Sequence, residues 1–139
     1  MAAKHIIKLK DYLKVVTEYP ADSAITPGTF IALNSDGEVA PVANEEKGLM
    51  VADYDGFQGK TINDAYATGA MVQCWIPQRG DVVYAVLAAS QTILVGDQLA
   101  ITTGGVLKKK GTSDVAIAIA EEAVTTGASA TGRVIARII

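Results

Sequence analysis

Few side chains in this 139-residue chain are equipped for chemistry, and their spacing restricts them further. His5 is the only histidine and Cys74 the only cysteine. A Ser-His-Asp or Cys-His arrangement would have to use His5, which sits in a lysine-rich opening stretch, whereas a nucleophile and its base need rigid positions within hydrogen-bond reach. One histidine and one cysteine leave too few soft ligands for zinc, and a lone cysteine makes no intrachain disulfide. Cys74 stands in the apolar run from Met71 to Ile76 and reads as a buried thiol. Carboxylates offer more. Asp53, Asp55 and Asp64 fall close together, and Glu121-Glu122 stand at a second strand end. Such acids serve as general acid and base or hold a hard cation. The segment Asn34-Ser35-Asp36-Gly37-Glu38 is too short for a calcium loop and lacks the distal glutamate. The acids therefore read as solvated strand ends and loops, with a partner-facing acidic patch as the alternative.

The remaining motifs point away from catalysis. No glycine-rich phosphate cradle opens a helix, and Thr103-Gly104-Gly105 is hairpin chemistry. Lys108-Lys109-Lys110 follows that hairpin, where lysines on a strand edge discourage edge-to-edge pairing. Arg79-Gly80-Asp81 supplies the residue types that a turn between strands needs. Trp75 lies in the last strand of the first half and reads as a core or interface aromatic, since no basic aromatic cluster surrounds it.

The elements that position these residues come in two copies. Ile25, Gly28, Ile31-Ala32-Leu33, Gly37 and Val39 are echoed by Ile93, Gly96, Leu99-Ala100-Ile101, Gly105 and Leu107, 68 residues later. Gly48 to Asp53 matches Ala116 to Glu121 at the same offset, and Ala67 to Val72 matches Ala130 to Ile135 at an offset of 63. A period this long suggests one fold made of two related halves. Phe30–Leu33 reads as a strand, Asn34–Gly37 as a hairpin turn, and Glu38–Val42 as its return. Gly48–Asp53 and Met71–Ile76 are further strands, separated by an excursion over 54–68. Val82–Ala89 begins as strand. In the closing Arg133–Ile139, Val134, Ala136 and Ile138 form an apolar face opposite Arg133 and Arg137. The expectation is all-β: a compact β-sandwich or β-tulip-like barrel over 25–139, with pseudo-repeats 25–76 and 93–139. Residues 1–24 are expected as an N-terminal arm or first strand, a short helix at 8–16 being the alternative.

Half the residues are hydrophobic, 19% are charged and the net charge is −3, so disorder and a general affinity for nucleic acid are both disfavoured. Lys4, Lys8, Lys10 and Lys14 nevertheless crowd the first stretch, as a solvated face or as an arm that reaches an acidic neighbour. No signal peptide stands out in residues 1–14 and no run has the length of a membrane span, so a soluble intracellular origin is expected.

Ile25-Thr26-Pro27-Gly28-Thr29-Phe30-Ile31-Ala32-Leu33, with Asp36-Gly37 and Val39, resembles the opening of small tailed-phage capsid decoration, or cement, proteins. Gly80 to Leu87 followed by Val95-Gly96-Asp97-Gln98-Leu99 is similar to their central segment. Ile117 to Ala123, a Thr/Gly/Ala/Ser-rich loop and Gly132 to Ile138 resemble their last two strands. The resemblance covers 25–139. It implies a structural virion protein without active site or cofactor, bound to the major capsid protein on the outside of the head, often as a trimer at threefold or quasi-threefold positions. On that reading Lys4, Lys8, Lys10 and Lys14 are the expected capsid contacts, with Phe57 and Tyr66 of the excursion beside them. Three alternatives stand. One is another virion component, such as a head-fibre base or tail protein. A second is a biotinyl- or lipoyl-like carrier module, for which the Thr103–Gly105 tip lacks a lysine. The third is a β-rich hydrolase using Asp53, Asp55 or Asp64.

Overall fold

A computed structural model describes residues 4–10, 15–45 and 48–139. The strands are β1 (Lys8–Lys10), β2 (Val15–Pro20), β3 (Phe30–Leu33), β4 (Val39–Pro41), β5 (Met50–Ala52), β6 (Met71–Ile76), β7 (Val82–Leu87), β8 (Thr92–Ile93), β9 (Gln98–Thr102), β10 (Val106–Lys109), β11 (Ala118–Ala120), β12 (Val124–Thr125) and β13 (Gly132–Ile138). One 3₁₀ turn, Gly56–Gln58, interrupts them. The architecture is all-β, as the alternation and turn residues imply.

In the second half, β7, β10, β9, β11 and β13 close into a five-stranded barrel. The barrel is sealed where Leu107 of β10 bridges Leu87 of β7 in parallel. In the first half, β2, β6, β5, β3 and β4 form a sheet in the corresponding order. Its ends meet through the parallel bridge Ala21–Val39, with Asp22 N donating to Val39 O (2.9 Å) as Ala88 N does to Leu107 O (2.8 Å).

The ladders place the repeat on a structural footing. Ile31 pairs Pro41 and Leu99 pairs Lys109, 68 residues on; Ile31 pairs Met50 and Leu99 pairs Ala118, again 68 on. Between β6 and β13 the offset is 62, because Val51 pairs Trp75 while Ile119 pairs Arg137. The sequence alignment at 63 is therefore one residue out. On a strand, one residue exchanges the two faces. At 62, Val72 and Cys74 match Val134 and Ala136, all of them buried. The repeat also reaches back into the opening segment. Val16 pairs Trp75 as Val82 pairs Arg137, so β2 corresponds to β7 at an offset of 66. Residues 15–20 thus take the strand alternative. The strand runs through Pro20 because its missing N–H faces the edge away from β6.

Each half has its own interior. Ala21, Ile25, Ile31, Val39, Met50, Ala52, Tyr66, Val72 and Cys74 fill the first barrel. A second core holds Leu87, Leu99, Leu107, Val134 and Ala136, and it continues into Phe30, Ala32, Val42, Val51 and Trp75 from the outside of the first barrel. That continuation is the seam between the halves. Three short backbone bonds cross it: Phe30 N to Gly105 O (2.8 Å), Gly105 N to Val42 O (2.7 Å) and Val86 N to Gly28 O (3.1 Å). At the positions in the second half that match Phe30, Val42 and Trp75 stand Gln98, Lys110 and Arg137, with Gln98 and Arg137 exposed. The chain therefore builds this seam once and covers the equivalent face with polar side chains.

Gly105 has φ +71°, and a Cβ there would overlap Phe30 O and come within 2.6 Å of Thr29 Cγ2. Its counterpart Gly37 has φ +78° with open space around it. Gly37→Ala should cost about 1–2 kcal/mol, the left-handed strain alone. Gly105→Ala should cost about 2–3 kcal/mol more by forcing the seam apart. Urea unfolding of the two variants checks this, and equal losses would count against the seam.

Candidate functional site

A groove of about 590 Å³ opens between β1, the outer face of the β2–β6 pair and the stretch from Asp53 to Phe57. Ile6, Val16 and Phe57 line it and are all exposed, Phe57 at 89%. A single exposed apolar side chain carries little information, but here three surround one depression. Phe57 stands on the 3₁₀ turn Gly56–Gln58. That turn is closed by Gln58 N to Asp55 O (3.3 Å) and Gly59 N to Gly56 O (3.2 Å), and Lys60 N also reaches Asp55 O (3.0 Å).

The wall of the groove is anchored by charge. Lys8 forms an ion pair with Asp53, both largely buried, and its ammonium lies 5.9 Å from the centroid of the Trp75 ring. A cation over an aromatic face and against a carboxylate is held from both sides. Ile7, fully buried, accepts at its carbonyl from Tyr84 N (2.8 Å). Backbone, apolar side chain and ammonium therefore fix β1 independently.

The residues expected as capsid contacts separate on this frame. Lys4 is exposed, as is His5. Lys8 is held by Asp53 in the wall of the groove. Lys10 belongs to β1, with Val82 as its ladder partner. Lys14 lies outside the described residues. Phe57 is on the surface. Tyr66 is not a surface residue: it is buried in the first barrel, its hydroxyl donates to Asp53 O (2.6 Å) and it accepts from Gln73 N (3.3 Å). A tyrosine can close a barrel end in this way because its ring fills the interior while its hydroxyl satisfies strand-end backbone.

The acids are engaged locally. Asp53 accepts from Tyr54 N (3.0 Å) besides pairing with Lys8. Asp64 accepts from Thr61 N (2.8 Å) and Oγ1 (3.0 Å), which hold its carboxyl below the ordinary value. Glu122 accepts from Ile135 N (3.0 Å), and Glu121 lies 3.4 Å from Arg137. Among the described residues, no three of the His, Cys, Asp and Glu side chains gather as a metal site. Lys108 and Lys109 meet Asp114 (3.0 Å) and Asp97 (3.2 Å) across neighbouring turns. Asp81 is fully buried and accepts from Gln78 N (2.7 Å), which builds the Arg79-Gly80-Asp81 turn into the barrel end. Of the Thr103–Gly105 tip, Gly105 is buried in the seam, whereas Thr103 and Gly104 are exposed and carry no lysine for a carrier module to modify.

Arg133 escaped the sequence reading, which placed it on an outward face. Its Nη2 donates to Ile62 O (2.6 Å) and Nη1 to Tyr84 O (3.4 Å), with the guanidinium 5.7 Å from the Tyr84 ring centroid. Desolvation lowers its pKa. It ties the excursion to the second barrel. A Cβ on Gly28 would collide with Nη1 and lie 2.9 Å from Tyr84 O. The only signal in sequence was an arginine at the start of a largely apolar strand.

No protein-family profile matches this chain, and no curated protein sequence matches it significantly. Among solved structures, its fold is similar to that of the head fibre gp8.5 N base in bacteriophage phi29. The two share 16% identity at a TM-score of 0.61, covering 91% of this chain and 95% of the other. Identity that low concerns the fold, which here extends over nearly the whole of both chains.

Burial pushes the Tyr66 hydroxyl up to about 12 and the Cys74 thiol up to about 11. Folding thus favours both neutral forms. That contribution is intact below the unfolded values and is lost as pH rises from about 9 to 12. An absorbance titration should find one of the five tyrosines ionising near pH 12 or only on unfolding, and Cys74 should resist thiol reagents at pH 8. Five tyrosines titrating together near pH 10 in the folded chain would remove Tyr66 from the core.

Proposed function

We propose that this chain is a non-catalytic structural protein of a tailed-phage virion, seated on the outer surface of the head against the major capsid protein, where it stiffens the expanded shell. The observation that carries this reading is the fold likeness to a phage head fibre base along nearly the whole of both chains. The local chemistry supports it: of the acids a hydrolase would use, Asp53 is held in an ion pair and Asp64 in a turn. The exposed apolar residues Ile6, Val16 and Phe57 instead surround one groove, with Lys4 exposed nearby in sequence. A protein repeated over a closed shell needs only modest contacts, since each copy adds to the stability of the whole. Trimers at threefold or quasi-threefold positions would add a second set of contacts.

A second reading, the base of a head fibre, is favoured because the matched structure is itself such a base. Both place the chain on the head and differ in whether a further segment projects from it. Electron microscopy of decorated heads distinguishes them.

Co-sedimentation with expanded heads of the source virus, and with unexpanded procapsids, tests the shared core. Saturable binding to expanded heads alone is the expected outcome. Phe57→Ser should weaken that binding by about 1–2 kcal/mol, roughly 5- to 30-fold, through lost apolar contact. Lys4→Ala should flatten its salt dependence. Absence of binding to either particle would overturn the head-surface role.

A further inference from the structure

The internal repeat permits a comparison of strand edges within one molecule. In the second half, Ile135 of β13 donates its N–H to Glu122 Oε1 (3.0 Å) and its carbonyl accepts from Glu121 N (2.8 Å). Both groups point away from β7. Its ladder partner Tyr84 accordingly directs its amide to the other edge of β7, where Ile7 O accepts it (2.8 Å). Alternate residues of a strand face alternate neighbours in this way.

The first half repeats every step but the last. Gln73 of β6 donates its N–H to Tyr66 Oη (3.3 Å), and its carbonyl accepts from Asp53 N (2.8 Å). Both groups point away from β2. Glu18, the ladder partner of Gln73, therefore presents its amide and carbonyl at the outer edge of β2. Among the described residues, nothing accepts that amide. Among the described residues, the edge that β1 covers on β7 carries no strand on β2.

The geometry points to this edge as the acceptor for an extended strand of another protein, added antiparallel across Val16–Glu18 and carrying alternate apolar and basic residues. The template is the chain's own segment Ile7-Lys8-Leu9-Lys10, which occupies the equivalent edge. Charge selects the occupant. The Glu18 side chain is exposed and its carboxylate accepts from Gln73 Nε2 (2.8 Å), an uncharged partner, so a basic residue opposite it is favoured. Val16 beside it is exposed and lines the groove, which gives an apolar neighbour a place to pack.

A second copy is the poorer occupant. Two β2 strands paired antiparallel about Thr17 would bring their Glu18 carboxylates onto one face at a diagonal of about 7–8 Å. Stacking in the manner of the internal seam fails as well. Pro20 stands where Val86 donates to Gly28 O, and Gln98, Lys110 and Arg137 replace the apolar seam residues. The inference does not depend on the partner being a capsid protein.

Amide hydrogen exchange of the whole 139-residue chain, read residue by residue by NMR, tests it. In the free protein, Val16 and Glu18 should exchange about 100-fold faster than Thr17 and Tyr19, which face β6. The probe is a synthetic peptide copying residues 4–10, at millimolar concentration. It should slow exchange at Val16 and Glu18 about 10-fold, the value for a site ten parts bound to one free. A counterpart with glutamate for each lysine should not, and Glu18→Lys should reverse that preference. Four results would overturn the proposal. They are slow exchange at both amides in the free chain, no protection by the lysine peptide, equal protection by the two peptides, and protection that depends on protein concentration alone.

Discussion

The outer edge of β7 is the constraint on which the rest of this structure depends. Its alternate amides must find acceptors because the strand is buried, and an orphaned amide there costs about 1–3 kcal/mol. Tyr84 N goes to Ile7 O, Val86 N to Gly28 O and Ala88 N to Leu107 O, at 2.8, 3.1 and 2.8 Å. Three different parts of the chain meet along one edge. Ile7 brings the N-terminal strand, Gly28 brings the first barrel and Leu107 closes the second. A single strand thereby sets the relation of the two halves and the position of β1, and with it one wall of the groove.

Much of this was legible in sequence, for reasons that show where legibility ends. The repeat could be read from Gly28/Gly96 and Gly37/Gly105 because turn glycines and the apolar strands between them survive divergence. The 62-residue offset could not. Ala67-Thr68-Gly69 and Ala130-Thr131-Gly132 match as short words, yet Gly69 is a left-handed turn residue and Gly132 opens a strand. Equal residues in unequal backbone roles drew the alignment one place off. Placing β2 in the repeat was harder still, because Val15 to Pro20 shares almost no residue with Val82 to Leu87. What they share is a ladder.

The candidate site was less legible than the fold. Phe57 sits where a glycine-bounded turn in the excursion would place it. Tyr66 lies in the same excursion, yet it faces inward, since nothing in the local sequence reveals that its hydroxyl meets the carbonyl of Asp53. Lys8 carries the same charge as Lys4, and only the approach of Asp53 and Trp75 distinguishes a lysine in a wall from one in solvent. The bond from Arg133 to Ile62 spans 71 residues, beyond the range of any periodicity.

The two halves have diverged in a way that sorts their surfaces. Phe30, Val42 and Trp75 needed to stay apolar because the seam covers them. Their counterparts Gln98 and Arg137 face water and Lys110 is half-buried, and had they stayed apolar they would have left a patch that invites stacking without limit. Polar replacement on one side and Pro20 on the other end the series at two barrels, as capping units end a repeat array. Against that background, the exposed Ile6, Val16 and Phe57 differ from other exposed apolar side chains in lining one groove together. Their position beside the edge of β2, which carries no strand among the described residues, makes the groove and that edge a single surface. A partner able to engage both would obtain affinity from apolar contact and register from the backbone of β2.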